Sequence, residues 1–213
     1  MKTVFQFILI LIVSSCASKK SVEKTSIMGY NFQNITESFE AKNLNYIGLK
    51  KYCIGSIILN ELSPKDCENC LSKNDIYIFW TDNGKSFVQK FDNCSEFNIV
   101  EIIDFEPIEF LKSNSTKLQT ESVKRYQVDQ DIYSTTTHSC FRNYVLNDGQ
   151  TKFKKEFDVY DLTGEKENLN FNTNNDLKLI ELDKKLNEII SKLENENRFE
   201  RNKKTCYNNV YSS

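Results

Sequence analysis

Asn83-Gly84 constrains this chain most, because it sits between two segments rich in β-forming residues, Asp75 to Thr81 (DIYIFWT) and Ser86 to Phe91 (SFVQKF). Both central residues of a type I′ turn need positive φ, and Asn followed by Gly supplies it at little cost, so the spacing predicts a hairpin. The first strand carries Ile76, Ile78 and Trp80 on one side and Tyr77 and Phe79 on the other. Apolar on both faces, it belongs inside a sheet.

Other segments extend this picture in both directions. Asn98 to Phe105 (NIVEIIDF) predicts a further strand, and Glu106-Pro107 starts a short helix through about Lys112, with Pro at its first turn. A polar, partly helical connector follows from Ser113 to Tyr126. Asp131 to Thr137 (DIYSTTT) and Cys140 to Leu146 (CFRNYVL) are β-rich, and Asn147-Asp148-Gly149-Gln150 gives a second hairpin signal before Lys152 to Leu162. Alternation slips at Lys154-Lys155, which predicts a bulge or a shifted register. Toward the N-terminus, Thr36, Phe39, Glu40 and Leu44 open a helix. The apolar run Tyr52 to Leu59 (YCIGSIIL) fits a strand or a buried helix turn, and we read it as helix.

From Asp176 to about Glu196, Leu179, Leu182, Leu186, Ile189 and Leu193 recur at spacings of three and four, with Ile190 beside the stripe. This predicts a long helix, capped by Asn174 or Asn175. The stripe spans about two heptads, fewer than the three or four a coiled coil needs, so it is expected to pack on the sheet. The tail Arg198 to Ser213 reads as polar and loose except near Cys206. The fold class is therefore α+β: an antiparallel sheet of four to six strands with two hairpins, packed on one face by a long C-terminal helix and shorter helices.

Export is written at the other end of the chain. Lys2 precedes the apolar stretch Val4 to Val13 (VFQFILILIV), then come Ser14, Ser15 and Cys16. Crossing a bilayer core takes about 20 apolar residues as a helix, and this stretch is about half that, so a permanent transmembrane anchor is not expected. Val13-Ser14-Ser15-Cys16 resembles the lipobox of bacterial lipoproteins, departing from its commonest residues at Val13, usually Leu, and Ser15, usually Gly or Ala. The resemblance covers the first 16 residues, and it implies cleavage before Cys16 and lipid on that cysteine. Several acyl chains on one residue hold a membrane far more firmly than one. Ala17 at the following position resembles an outer-membrane sorting signal. The expected organisation is a signal peptide at 1–15, a lipidated flexible tether at 16–34 and a single domain at 35–213.

Cys16 apart, six cysteines remain: Cys53, Cys67, Cys70, Cys94, Cys140 and Cys206. An even set in an exported chain predicts up to three disulfides, with 15 possible connectivities that the sequence leaves open. Cys67-Glu68-Asn69-Cys70 supports three readings. A redox centre would resemble thioredoxin-like sites, but Ser63-Pro64-Lys65-Asp66 stands where those have a strand. A zinc half-site lacks a second ligand pair. Structural disulfides ask least of the residues.

Function is less legible. The 28 basic and 30 acidic residues are mixed along the chain, so no basic face and no nucleic-acid partner is expected. His138, the one histidine, lies among Thr135, Thr136, Thr137 and Ser139, where a Ser/His or Cys/His site can be drawn but a plain surface role is the simpler reading. Carboxylate pairs such as Glu106 with Glu109 and Asp158 with Asp161 read as solvated face. No phosphate loop or hydrolase elbow occurs, and no cofactor or metal is implied. These features favour a noncatalytic envelope lipoprotein that binds a protein or small ligand, ahead of a thiol–disulfide protein using Cys67 and Cys70.

Overall fold

The computed structural model describes residues 30–55, 74–92 and 95–202. Among these residues, eight strands and four α-helices follow one another as α1 (Phe32–Glu40), β1 (Tyr46–Ile54), β2 (Asn74–Asp82), β3 (Lys85–Phe91), β4 (Glu96–Ile102), α2 (Pro107–Thr120), β5 (Gln127–Asp129), β6 (Ile132–Tyr133), β7 (Ser139–Asn147), β8 (Lys152–Asp158), α3 (Phe171–Asn175) and α4 (Lys178–Asn195). Six strands form one sheet in the order β4-β3-β2-β1-β7-β8, and β5 and β6 form a small second sheet. All neighbouring strands of the large sheet run antiparallel. The class is α+β, as the sequence predicts.

The first hairpin forms where Asn-Gly places it, with Asn83 at φ 49° and Gly84 at φ 74° between β2 and β3. β2 lies inside the sheet, and its two apolar faces enter two different cores. Tyr77 and Phe79 join the side covered by α2 and α4, whereas Ile76, Ile78 and Trp80 join the side covered by α1. Helices therefore cover both faces, a departure from the one-sided arrangement expected. Gly48 on β1 makes the second face possible, because a Cβ there would lie 3.0 Å from Phe32 Cε2 and Thr36 Cγ2 of α1. That helix begins at Phe32, inside the stretch assigned to the tether, and is capped by Asn31, whose side chain accepts the Gln33 N–H at 2.9 Å.

Several expectations are corrected. Tyr52 to Ile54 belongs to β1 and is not helical; residues 56–59 of that run lie outside the described residues. A short apolar run reads alike as strand or helix turn, and here it ends β1 with Cys53 and Ile54 exposed. Helix α2 continues through the polar connector to Thr120. The β-rich stretch Asp131 to Thr137 forms strand only at Ile132–Tyr133, and β8 stops at Asp158 before a 3-10 turn, Val159–Leu162. β8 carries no bulge against β7, since pairing runs unbroken from Asn147↔Lys152 to Phe141↔Asp158. The slip in alternation is Lys155 occupying an inward position between Phe153 and Phe157, where its Nζ donates to the carbonyls of Gln119 and Glu121 at 2.6 Å each. Cationic donors at a helix C-terminus satisfy carbonyls that have no partner within the helix.

Helix α4 packs on the sheet through Leu179, Leu182, Leu186, Ile190 and Leu193, with Ile180 also buried. Ile190 is buried and Ile189 sits half-buried at the margin, the reverse of the predicted order. Neither Asn174 nor Asn175 caps this helix. Leu177 is the cap residue, and Glu121 accepts the Leu179 N–H at 3.2 Å. Asn174 is instead fully buried, bonded to the Lys124 N–H and carbonyl and to the Asp161 carbonyl. The first residues of the tail run beside β4, with Asn98 N–H on the Glu200 carbonyl at 2.9 Å and Asn202 N–H on that of Glu96 at 3.0 Å. Residues 203–213 lie outside the described residues.

Candidate functional site

The half of the α1 face that α1 leaves open ends in a cleft of about 510 Å³ beside β8. Its floor is apolar: Phe141 of β7 and Ile54 at the end of β1, with the Tyr52 ring stacked on Phe141 at a centroid distance of 5.2 Å. These rings meet because β1 and β7 pair in a register that sets Tyr52 opposite Phe141. One wall carries three carboxylates, Glu156 and Asp158 from β8 and Asp161 from the 3-10 turn. The other is the hydroxyl-rich segment Ser134 to Thr137.

Buried asparagines hold the acidic wall. Asn168 donates to the Asp161 and Thr163 carbonyls at 2.9 and 3.1 Å, and Asn174 donates to the Asp161 carbonyl at 3.0 Å, so the 3-10 turn is fixed from behind. Each carboxylate accepts from neutral donors. The Tyr52 hydroxyl donates to Glu156, the Ser139 hydroxyl and the Tyr160 N–H donate to Asp158, and the Tyr126 N–H donates to Asp161 at 2.7 Å. The Tyr160 ring stacks on Tyr126 at 4.8 Å, and its hydroxyl lies 2.7 Å from Ser134 Oγ.

The electrostatic balance is one-sided. Among the described residues none of the three carboxylates makes an ion pair. Arg125, the one cation among the described residues lining the cleft, lies over the Tyr133 ring at 5.1 Å. Burial raises the Asp161 carboxyl above its ordinary range, against the opposing bond from Tyr126. Burial, and then the bond to Glu156, push the Tyr52 hydroxyl up to about 12, so it remains a donor at neutral pH. The arrangement can accept hydrogen bonds from a ligand and offers a flat apolar floor beneath it. A second polar depression of about 710 Å³ lies between α2 and the β7–β8 turn. There Asp148 already accepts from Ser115, Gln150 and Thr151, which occupies its acceptor capacity.

Of the residues singled out in the sequence, Cys53 and Cys140 are brought together as a disulfide between directly opposed positions of β1 and β7. Cys16, Cys67, Cys70, Cys94 and Cys206 lie outside the described residues. Disulfide bonding of Cys140 removes the thiol that a Cys/His site would need. The exposed His138 ring sits 3.1 Å from Thr137 Oγ1 and does not line the cleft. Glu106 and Glu109 are exposed as expected, whereas Asp158 and Asp161 turn out to share the acidic wall. Among the described residues no three His, Cys, Asp or Glu side chains are grouped to hold a metal ion, and no helix is long and apolar enough to cross a membrane. Tyr52, Phe141, Glu156 and Tyr160 were missed from the sequence; Asp158 and Asp161 were named there only as solvated face, and Thr135, Thr136, Thr137 and Ser139 only as neighbours of His138. Comparison with protein-family models, with curated proteins and with solved structures finds no match to this chain.

Proposed function

We propose that this protein is a bacterial envelope lipoprotein, held on the outer membrane by lipid on Cys16, whose folded domain is a noncatalytic binding module. The anchor is supported by the sequence alone, through Val13-Ser14-Ser15-Cys16 and the short apolar stretch before it. The binding surface is the cleft beside β8. One observation carries that reading: three carboxylates that make no ion pair among the described residues share a cleft with a stacked aromatic floor, where Arg125 is the one cation among the described lining residues.

Such a site selects a ligand that brings its own donors and positive charge, as an amine-bearing side chain of a partner protein does. Charge-assisted hydrogen bonds to carboxylates are about twice as strong as neutral ones. An ammonium group entering here would complete acceptors that are now held by neutral donors. The hydroxyl of Ser139 is committed to Asp158, and no histidine lines the cleft to activate it, which favours binding over acyl transfer.

The test is ligand-induced stabilisation of the mature protein by a panel of diamines, lysine-rich peptides and neutral oligosaccharides. Amine ligands are expected to raise the melting temperature, and a Glu156→Gln/Asp161→Asn double variant that keeps its fold is expected to lose that response. An unchanged response in the double variant, or no response to any amine, would refute the assignment. Cys67 and Cys70 lie outside the described residues, so no structural observation favours the thiol–disulfide alternative.

A further inference from the structure

β8 ends the six-stranded sheet, with β7 on one side and, among the described residues, no strand on the other. At the turn that leads into it, the Asp148 N–H donates to the Thr151 carbonyl. Antiparallel ladders alternate from there, so Phe153, Lys155 and Phe157 bond to β7, whereas Lys152, Lys154 and Glu156 turn their N–H and carbonyl groups to the open edge. Among the described residues nothing besides β7 hydrogen-bonds to the main chain of residues 152–157. Lys152, Lys154 and Glu156 are exposed, and their side chains stand on the α1 face in line with Asp158. Along that face the edge therefore reads as two cations followed by two anions. Lys154 and Glu156 make no ion pair among the described residues.

Charged side chains on an edge strand ordinarily deter pairing. Against a reversed copy of itself, this edge deters every register but one. With Lys155 opposite its own copy, Lys154 faces Glu156 and Lys152 faces Asp158. Sliding to the next register that still aligns the outward-facing groups sets Lys154 against Lys154 in one direction and Glu156 against Glu156 in the other.

We propose that β8 pairs in this register with β8 of a second copy of the chain, across a two-fold axis at Lys155, so that two six-stranded sheets continue as one. The interface is isologous, and each contact occurs twice. The inner pair carries it, Lys154 with Glu156 of the second copy, because Lys152 is committed to Glu40 and Asp158 to Ser139 and Tyr160 within each copy. On the opposite face Phe153 meets Phe157 of the second copy, and each Lys155 ammonium stays on the Gln119 and Glu121 carbonyls of its own chain. The proposal rests on the cleft reading in one respect, that Glu156 accepts an incoming ammonium, and it names Lys154 of a second copy as the source.

The experiment follows the full mature protein, purified in detergent, by sedimentation equilibrium over a wide concentration range, beside Lys154→Glu, Glu156→Lys and the variant carrying both. A reversible dimer is expected for the wild type. Either single reversal turns two symmetry-related attractions into repulsions, so it is expected to raise the dimer dissociation constant at least about ten-fold, and combining them is expected to restore it. Should a variant not fold, carbodiimide cross-linking of mixed unlabelled and heavy-isotope wild type is expected to join Lys154 of one label to Glu156 of the other, read by mass spectrometry. A wild type that stays monomeric overturns the proposal. So does a dimer that is indifferent to the reversals, that the double exchange does not recover or, where those variants fail to fold, that yields no mixed-label Lys154–Glu156 cross-link. Stabilisation by amines of a protein that never dimerises would overturn the pairing alone and leave the cleft reading standing.

Discussion

Truncating two adjacent residues of α4 should have sharply different effects. Ile190 is 1% exposed in the core between α4 and the sheet, whereas Ile189 packs only against the core margin. Replacing a buried Ile by Ala removes its transfer free energy and leaves a cavity, together about 2–5 kcal/mol. Alanine's better helix propensity returns a few tenths of a kcal/mol at either position. Ile190→Ala is therefore expected to cost about 3 kcal/mol, and Ile189→Ala, which loses part of a half-exposed contact, about 1 kcal/mol. For a domain of this size each kcal/mol moves the melting temperature by about 2–4 °C, so the shifts are roughly 6–12 °C and 2–4 °C. Urea unfolding followed by Trp80, the one tryptophan, measures both. That ring belongs to the core on the opposite face, so its signal reports loss of the whole sheet. Equal costs, or a larger cost at Ile189, would mean that α4 is rolled about its axis and the described core is wrong.

Two other perturbations address the face that the sequence hid. Gly48→Ala puts a methyl 3.0 Å from Phe32 Cε2 and Thr36 Cγ2, so it is expected to push α1 off the sheet at a cost of about 1–3 kcal/mol, read by urea unfolding. The hydrogen bond from Lys152, then that from Tyr46, hold the Glu40 carboxyl below its ordinary range. A lowered folded-state pKa stabilises above the unfolded-state pKa, and the contribution is lost as pH falls through the folded one. Glu40→Gln should therefore lower the melting temperature slightly at neutral pH, and the difference from wild type should vanish once acid has protonated Glu40.

Local signals in the sequence were accurate where one short-range effect decided the structure. Asn83-Gly84 needed nothing beyond its own backbone preference, and α4 needed only its period to be read as a helix on the sheet, although Ile190 and not Ile189 took the buried place. Errors arose where a distant residue took over a local task. Glu121 meets the start of α4, which freed Asn174 to bind Lys124 and Asp161 instead. Lys155 looked like a break in alternation because its partners are carbonyls of α2, more than thirty positions earlier in the chain. The apolar run at Tyr52 misled because its apolar residues stand at the exposed end of β1, where Cys53 and Ile54 are open to solvent and no burial period marks the strand. The cleft was illegible for a related reason, since Tyr52, Phe141, Glu156 and Asp161 are gathered by strand order and register.

The most direct test of the anchored binding module is intact mass spectrometry of the protein extracted from membranes of its native host. The account predicts a mature chain beginning at Cys16 and heavier than its sequence by a diacylglycerol and an amide-linked acyl group. A chain that begins elsewhere, or one that carries a free thiol at Cys16, would contradict it.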